Sequence, residues 1–543
     1  MKSSRSSYLL GIPNVSAWLC YCLVLLIASP VCSQESETPK RPNIVLIMVD
    51  DMGFSDLGCY GSEINTPNIN LLAQQGTRFN RFYNTSKCNT SRACLLTGMY
   101  AQKSGMSTVP DSIQNAVTIA EVVKAAGYRT LMVGKHHGLE NMYDRGFDRY
   151  YGLRDGMCNY FNPGDRRLGE LQPARKAFDW AYPRKWCIDS TLYAPYTPSE
   201  PDFYTTDYFT NYAIDYLEEY KDEDKPYFLY LAYNAPHDPL MAWPEDIQKY
   251  IGKYAAGYAA IRKQRYQKQL NLQIIDESYP LSEPTYEDWD ALSVNEQLVR
   301  DSIMAVYAAM IDRLDQNIGR LLDKIDALGE RDNTLIMFVS DNGAQSLEER
   351  ERWFLAENKL SDYSQPIGSM ARFTSLNLSW ANVCNTPFRL YKDYSHNGGI
   401  ATPFIVSWPG KLKKTNTINA HPGHLIDIMP TILEVTGARY PETFRGQDIL
   451  PYDGESLLPA LLGDGINGRQ KPLYFQWGAD EALIEGDWKI VRYDAGPWEL
   501  YHQKDDKTET RNLFKTRPTV ADTLVRKHQR WMNAMKVHIS NPE

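Results

Sequence analysis

Two adjacent pairs of oxygen-bearing residues, two histidines and a lysine stand out in this chain as groups that together suit chemistry on an anion. Asp50 adjoins Asp51, and Asp341 adjoins Asn342. All four side chains offer oxygen, a donor set that favours a hard cation such as Ca²⁺ or Mg²⁺ over Zn²⁺. Lys135 adds a positive charge, and His137 and His237 add groups that exchange protons near neutral pH. Each alone is an ordinary polar residue at a strand end. Their convergence on one place is what makes a candidate site.

That convergence depends on the elements that carry them. Asn43–Val49 is apolar from Ile44 onward and rich in β-branched residues, the pattern of a strand buried on both faces, and it ends at Asp50-Asp51. Thr118–Ala126 reads as a helix stopped by Gly127, and Tyr128–Val133 as a strand that ends at Gly134-Lys135-His136-His137. Tyr227–Tyr233 predicts a strand leading to His237, and Thr334–Val339 one leading to Asp341-Asn342. Pro403–Trp408 reads as a further strand, and Ser302–Leu328 carries apolar residues at helical spacing over many turns. Strands alternating with helices imply a mostly parallel sheet with helices on both faces, whose ligands bind beyond the carboxyl ends of the strands. Residues 154–202 and 344–385 are expected to be loops over that edge.

After residue 463 the pattern changes. Leu473–Trp477, Ala482–Glu485, Trp488–Tyr493 and Trp498–Tyr501 are short runs separated by turn residues and predict an antiparallel sheet, closed by a helix over Ala521–Val537. The expected fold class is therefore α/β, with a catalytic domain over 41–462 and a small C-terminal α+β domain over 463–543.

The stretch Cys88-Asn89-Thr90-Ser91-Arg92, continued by Ala93-Cys94-Leu95-Leu96-Thr97-Gly98, resembles the signature of the type I sulfatases of the alkaline-phosphatase superfamily. In that signature a cysteine is followed, after two residues, by Ser-Arg and later by Leu-Thr-Gly. Thr90 stands where the family usually has Pro or a small residue. The resemblance covers most of the chain: Asn43–Asp56, Gly134-Lys135-His136-His137, Ala235-Pro236-His237, Asp341-Asn342-Gly343, Asn385-Thr386-Pro387-Phe388-Arg389 with Lys392, and Glu509 to Leu513 all have counterparts. The subgroup it looks nearest to is the bacterial arylsulfatase-like enzymes.

The resemblance implies an exported hydrolase of sulfate esters, with Cys88 oxidised to formylglycine by a maturation enzyme. It implies one Ca²⁺, held by Asp50, Asp51, Asp341, Asn342 and an oxygen of the modified Cys88. A hydrated aldehyde has two hydroxyls on one carbon: one displaces the alcohol from sulfur, and the other collapses to the aldehyde and expels sulfate, which a plain thiol cannot do. Arg92 and Lys135 would fix the nucleophile, His137 would take the proton as sulfate leaves, and His237 and Lys392 would bind sulfate oxygens and protonate the leaving alcohol. Outside this motif Cys88 would read as a buried thiol or a partner for Cys94. Two other readings share the residues: a formylglycine enzyme acting on phosphoesters or phosphonates, and a non-catalytic binder of sulfated glycans.

Composition narrows the classes. The 543 residues carry 67 acidic against 58 basic side chains, so the basic surplus expected of a nucleic-acid binder is missing. No apolar run reaches the roughly 18 residues of a membrane span. Residues 1–33 read as a signal peptide, with Lys2 and Arg5 ahead of an apolar stretch from Trp18 to Ala28, and predict a periplasmic or secreted protein. Six cysteines follow that segment, and Cys158 with Cys187 is a candidate disulfide on proximity in sequence. Asn84, Asn89 and Asn377 begin glycosylation sequons, and a glycan on Asn89 would stand beside Cys88. The expected partners are a sulfated small molecule or glycan and the maturation enzyme.

Overall fold

Among the described residues ten strands form the central sheet. In chain order they are β1 (Asn43–Val49), β2 (Gly76–Phe79), β4 (Arg129–Gly134), β5 (Arg149–Leu153), β6 (Trp186–Ile188), β7 (Thr191–Tyr193), β8 (Tyr227–Ala232), β9 (Thr334–Ser340), β10 (Phe404–Ser407) and β11 (Thr417–Asn419). A two-residue pairing of β3 (Phe82–Tyr83) with β12 (Gly423–His424) and a small hairpin of β13 (Thr443–Phe444) and β14 (Gln447–Asp448) lie outside it. The computed structural model describes residues 40–109, 111–175, 182–347, 360–463 and 468–539. The signal peptide expected over 1–33 lies outside them.

The sheet runs β11-β2-β10-β9-β1-β8-β4-β5-β6-β7. Its centre, β9-β1-β8-β4, is parallel and in close register, with Val49 level with Ser340, and Ala232 level with both Met48 and Gly134. β1, β8 and β9 are buried along their whole length and β4 from Thr130 onward, which is why their sequences run largely apolar without alternation. Each fully buried Val, Leu, Ile or Phe contributes roughly 1.5–3 kcal/mol. The flanking strands depart from parallel: β10 is antiparallel to both β9 and β2, and β5-β6-β7 form an antiparallel extension. The expectation that 154–202 is all loop is corrected here, because β6 and β7 lie inside it. Residues 344–385 likewise include a helix, Leu378–Cys384.

Helices cover the sheet in two groups. Pro67–Gln74, Thr205–Glu219 and Pro244–Gln248 pack on the long helix Val294–Ala327, whereas Cys88–Thr97 packs with Ile119–Ala125 and Ile428–Thr436. The long helix starts eight residues before the predicted Ser302. Ser293 and Glu296 cap it reciprocally: the Glu296 amide donates to Ser293 Oγ at 3.3 Å, and the Ser293 amide to Glu296 Oε2 at 2.8 Å.

The C-terminal region forms a separate antiparallel sheet, β15 (Leu473–Trp477), β16 (Asp480–Glu485), β17 (Trp488–Arg492) and β18 (Glu499–His502), backed by the helix Pro518–Ile539. Leu483, Ile490, Leu500, Ala521 and Leu524 make its own small core. The candidate disulfide is not formed: Cys158 and Cys187 are free and buried. Cys187 is held in β6 opposite Gly152, while Cys158 turns to the Asn234 amide 3.7 Å away. Among the described residues no helix is long and apolar enough to cross a membrane.

Candidate active site

The four central strands end side by side, and the loops after them meet. β1 delivers Asp50 and Asp51, β4 delivers Lys135 and His137, β8 leads to His237, and β9 delivers Asp341 and Asn342. Backbone bonds lock these ends together: the Asp50 amide donates to Ala235 O at 3.0 Å, the Asp341 amide to Val49 O at 3.1 Å, and the Lys135 amide to Ala232 O at 2.7 Å. The predicted convergence is therefore met.

Cys88 opens the helix Cys88–Thr97, every residue of which is buried. Ser91 anchors the helix start: its Oγ accepts from the Thr85 amide at 3.0 Å and pairs with Thr85 Oγ1 at 2.8 Å. Cys88 and Arg92 are four residues apart and so share one helical face. From there Arg92 Nε and Nη2 donate to Asp341 Oδ2 at 3.1 and 2.9 Å, and Nη1 donates to Lys135 O at 2.9 Å. Cys88 stands at the N-terminal end of this helix, the end that carries the unpaired N–H groups and the positive end of the dipole.

The remaining side chains interlock. Lys135 Nζ pairs with Asp50 Oδ2. Asp51 Oδ1 accepts from Lys392 Nζ at 2.5 Å and from Asn342 Nδ2 at 2.6 Å. His237 Nε2 lies 3.5 Å from Asp51 Oδ2, and its Nδ1 lies 2.9 Å from Asp238 Oδ1. His137 Nδ1 is buried without a hydrogen-bond partner, with its ring against Gly156. All the sequence-predicted residues thus fall in one cluster. His237, expected at the substrate sulfate, stands beside the acidic pair, and one ligand atom each from Asp50, Asp51 and His237 lies within 4.8 Å of the others.

Charge is crowded here. Burial alone would raise Asp50, but Lys135, His237 and Arg92 hold it below the usual carboxylate range. Asp51 is likewise held low, by His237 and Lys392 against burial. Burial and the charge of Asp50 push Asp341 up to about 7 despite Arg92. Burial pushes the Cys88 thiol up, against the pull of Lys135 and Lys392, so the cysteine stands as a neutral thiol rather than a ready thiolate. Burial, then Lys135 and Arg92, drive His137 well below the ordinary histidine value, which leaves it neutral.

Residues 42–438 match the family model described as Sulfatase, and 388–536 match the one described as N-sulphoglucosamine sulphohydrolase, C-terminal. The chain belongs to the sulfatase family. Among similar proteins, an uncharacterised sulfatase of Schizosaccharomyces pombe is 31% identical over 90% of this chain and 92% of its own length. An arylsulfatase of Klebsiella aerogenes is 33% identical over 77% of this chain and 91% of its own length. The crystal structure of Ps i-CgsB in complex with k-i-k-neocarrahexaose superposes with a TM-score of 0.65 at 25% identity, covering 90% of this chain and 92% of that one. This sulfatase is accordingly a sulfuric ester hydrolase.

The donor set of the sulfatase fits a hard divalent ion. Asp50 Oδ1, Asp51 Oδ2 and Asn342 Oδ1 are buried oxygens that accept no hydrogen bond. Stranded acceptors of this kind cost about 1–3 kcal/mol each, and more when charged. A cation among them would satisfy all three, and its charge would oppose the upward push on Asp341.

Supporting residues escaped the sequence reading. Tyr307 donates to Asp51 O at 3.0 Å and to Asp56 Oδ2 at 2.8 Å, and Arg265 binds Asp56 at 2.5 Å, fixing the turn after β1. Tyr160 donates to Asn234 O and His237 O at 2.6 and 2.7 Å. Tyr307 and Arg265 lie in helices where they read as ordinary facing residues; only Asp56, in the stretch Asn43–Asp56, carried a local signal.

Proposed function

We propose that this sulfatase is exported and cleaves carbohydrate or aryl sulfate esters with a nucleophile made from Cys88 by conversion to formylglycine, beside one Ca²⁺. The observation that carries the reading is the position of Cys88, at the head of a buried helix whose Arg92 reaches the Asp50–Asp341 cluster. The ion would shield the charge of the sulfate, and the hydrated formylglycine would supply one hydroxyl to attack sulfur and a second to release it.

The chain's own residues do the rest. Asp50, Asp51, Asp341 and Asn342 would hold the ion. Arg92 braces Asp341, and Lys135 brings its ammonium to Asp50, so two positive charges stand behind the nucleophile. Neutral His137 can accept the proton given up when sulfate is released. Lys392 and His237, which face the two carboxylate oxygens of Asp51, would bind sulfate oxygens and deliver a proton to the departing alcohol. Carbohydrate substrates are favoured by the k-i-k-neocarrahexaose in complex with the similar Ps i-CgsB. The alternative, a formylglycine enzyme acting on phosphoesters or phosphonates, would use the same residues, and side-by-side turnover of an aryl sulfate and an aryl phosphate separates the two.

The test is mass spectrometry of the tryptic peptide Cys88–Arg92 from protein made in its own host. The aldehyde or its hydrate is expected in place of the thiol. An unmodified thiol in active enzyme would overturn the mechanism.

A further inference from the structure

A fully buried ion pair lies far along the chain from the catalytic cluster. Lys489 in β17 and Glu509 are both 0% exposed, with Nζ 2.5 Å from Oε1. Burying two charges costs several kcal/mol per ion, and a well-packed apolar pair is often as stable. Packing alone therefore gives no reason for it.

Its contacts do. Lys489 Nζ donates to Asn397 Oδ1 at 2.6 Å, and Glu509 Oε2 accepts from the Asn397 amide at 3.0 Å. Asn397 opens the turn Asn397–Ile400, whose backbone reaches the site twice. The Gly398 amide donates to Arg389 O at 3.0 Å, holding the loop that carries Lys392, and Gly399 O accepts from the Gly343 amide at 3.0 Å, next to Asn342. A side chain at Gly398 would collide with Arg389 O and Leu390 O at 2.2 and 2.1 Å, so this backbone approach tolerates no substitution. The Lys392 amide completes the ring by donating to Ala344 O at 3.1 Å.

We infer that Lys489 and Glu509 are positioning residues for sulfate-ester cleavage: they hold Asn397 so that the Arg389–Ile400 loop sets Lys392 against Asp51. The C-terminal sheet thereby completes the active site. The inference rests on the sulfatase reading above for what Lys392 does.

A double-mutant cycle on the full-length enzyme tests it. Lys489→Met combined with Glu509→Gln removes both charges and keeps an acceptor for the Asn397 amide. With Lys392 present, kcat on an aryl sulfate should fall about 10²-fold, the order expected for a displacement near 1 Å. In a Lys392→Ala background the same change should cost less than about threefold, because the group being positioned is gone. Equal losses in both backgrounds, or no loss with Lys392 present, overturn the inference. Asn397→Ala, which removes the acceptor of Lys489 but leaves the Asn397 backbone amide on Glu509, should give a cycle of the same sign and smaller size, and serves if the double variant does not fold. Lys527→Ala, which breaks the separate Lys527–Glu485 pair at the same sheet, should leave kcat unchanged. If the parent hydrolyses no sulfate ester, the sulfatase reading fails. The cycle is then read from the affinity for inorganic sulfate by calorimetry, by the same criterion.

Discussion

Arg92 and Asp341 are joined by two hydrogen bonds, 3.1 and 2.9 Å long, that converge on one carboxylate oxygen in a place sealed from solvent. The third arm of the same guanidinium ties down the Lys135 carbonyl. One side chain thus links the helix of the nucleophile to the ends of β9 and β4. Removing one partner of a buried pair costs about 3–5 kcal/mol, because the other charge is left stranded. Arg92→Ala should lose that much stability in urea denaturation, measured with a chelator present so that no cation compensates. A loss under about 1 kcal/mol would show that Asp341 does not depend on Arg92.

The stranded oxygens of Asp50, Asp51 and Asn342 predict a stabilising cation. A ligand bound only by the native state stabilises by about 2.7 kcal/mol at a hundred times its Kd. Calcium should therefore raise the melting temperature of the chelator-treated protein, and Asp51→Asn should blunt that rise. Identical melting curves with and without calcium would remove the ion from the site.

Cys88→Ala should abolish sulfate release and, compared with the unconverted thiol form, change stability by no more than about 1 kcal/mol, since it then deletes one buried sulfur and breaks no hydrogen bond of the helix. Sulfate detection by ion chromatography reads the first part and urea denaturation the second. Retained sulfate release would assign the nucleophile to another residue.

His424 predicts a pH dependence of stability away from the catalytic cluster. It is fully buried beside Tyr100 and Phe475, and its Nδ1 accepts from the Ile426 amide at 3.1 Å. Burial, then Arg469, lowers its pKa to about 3. Between that value and the ordinary 6.5 the unfolded chain binds a proton that the folded one refuses, so stability rises with pH across the window. The contribution is complete above about pH 6.5 and is lost on acidification toward pH 3, at up to about 1.4 kcal/mol per unit. His424→Asn keeps an N-cap acceptor without a titrating group. Between pH 7 and 5 the parent should lose about 2 kcal/mol more than the variant in urea denaturation; parallel losses would rule the histidine out.

What could be read beforehand was what is local in the chain. The Cys88–Gly98 motif and the strand ends at Asp50, Lys135 and Asp341 each occupy a few consecutive residues, and a doubly buried strand is apolar throughout. β6 and β7 were illegible because they are three residues long and β7 is exposed at every position, leaving no alternation to detect. The first turns of the long helix were hidden because Val294 and Leu298 face solvent, 72% and 60% exposed, and break the apolar spacing; the Ser293–Glu296 cap was the available signal. Lys489 in a short strand gives no hint of its burial, since its partners Glu509 and Asn397 come from separate segments. The Asn89 sequon was legible as an unsuitable glycan site, and its side chain is indeed enclosed, donating to Thr108 O at 2.7 Å.

If Cys88 is converted as proposed, the burial of the whole Cys88–Thr97 helix sets an order of events for the protein's biogenesis. Any enzyme that rebuilds the Cys88 side chain must meet this segment while it is still an extended peptide, before the sheet and the Ile428–Thr436 helix close over it. Protein folded in a host without such an enzyme is then locked out: its sulfur is out of reach, and only unfolding and a second passage through the nascent state would expose it again.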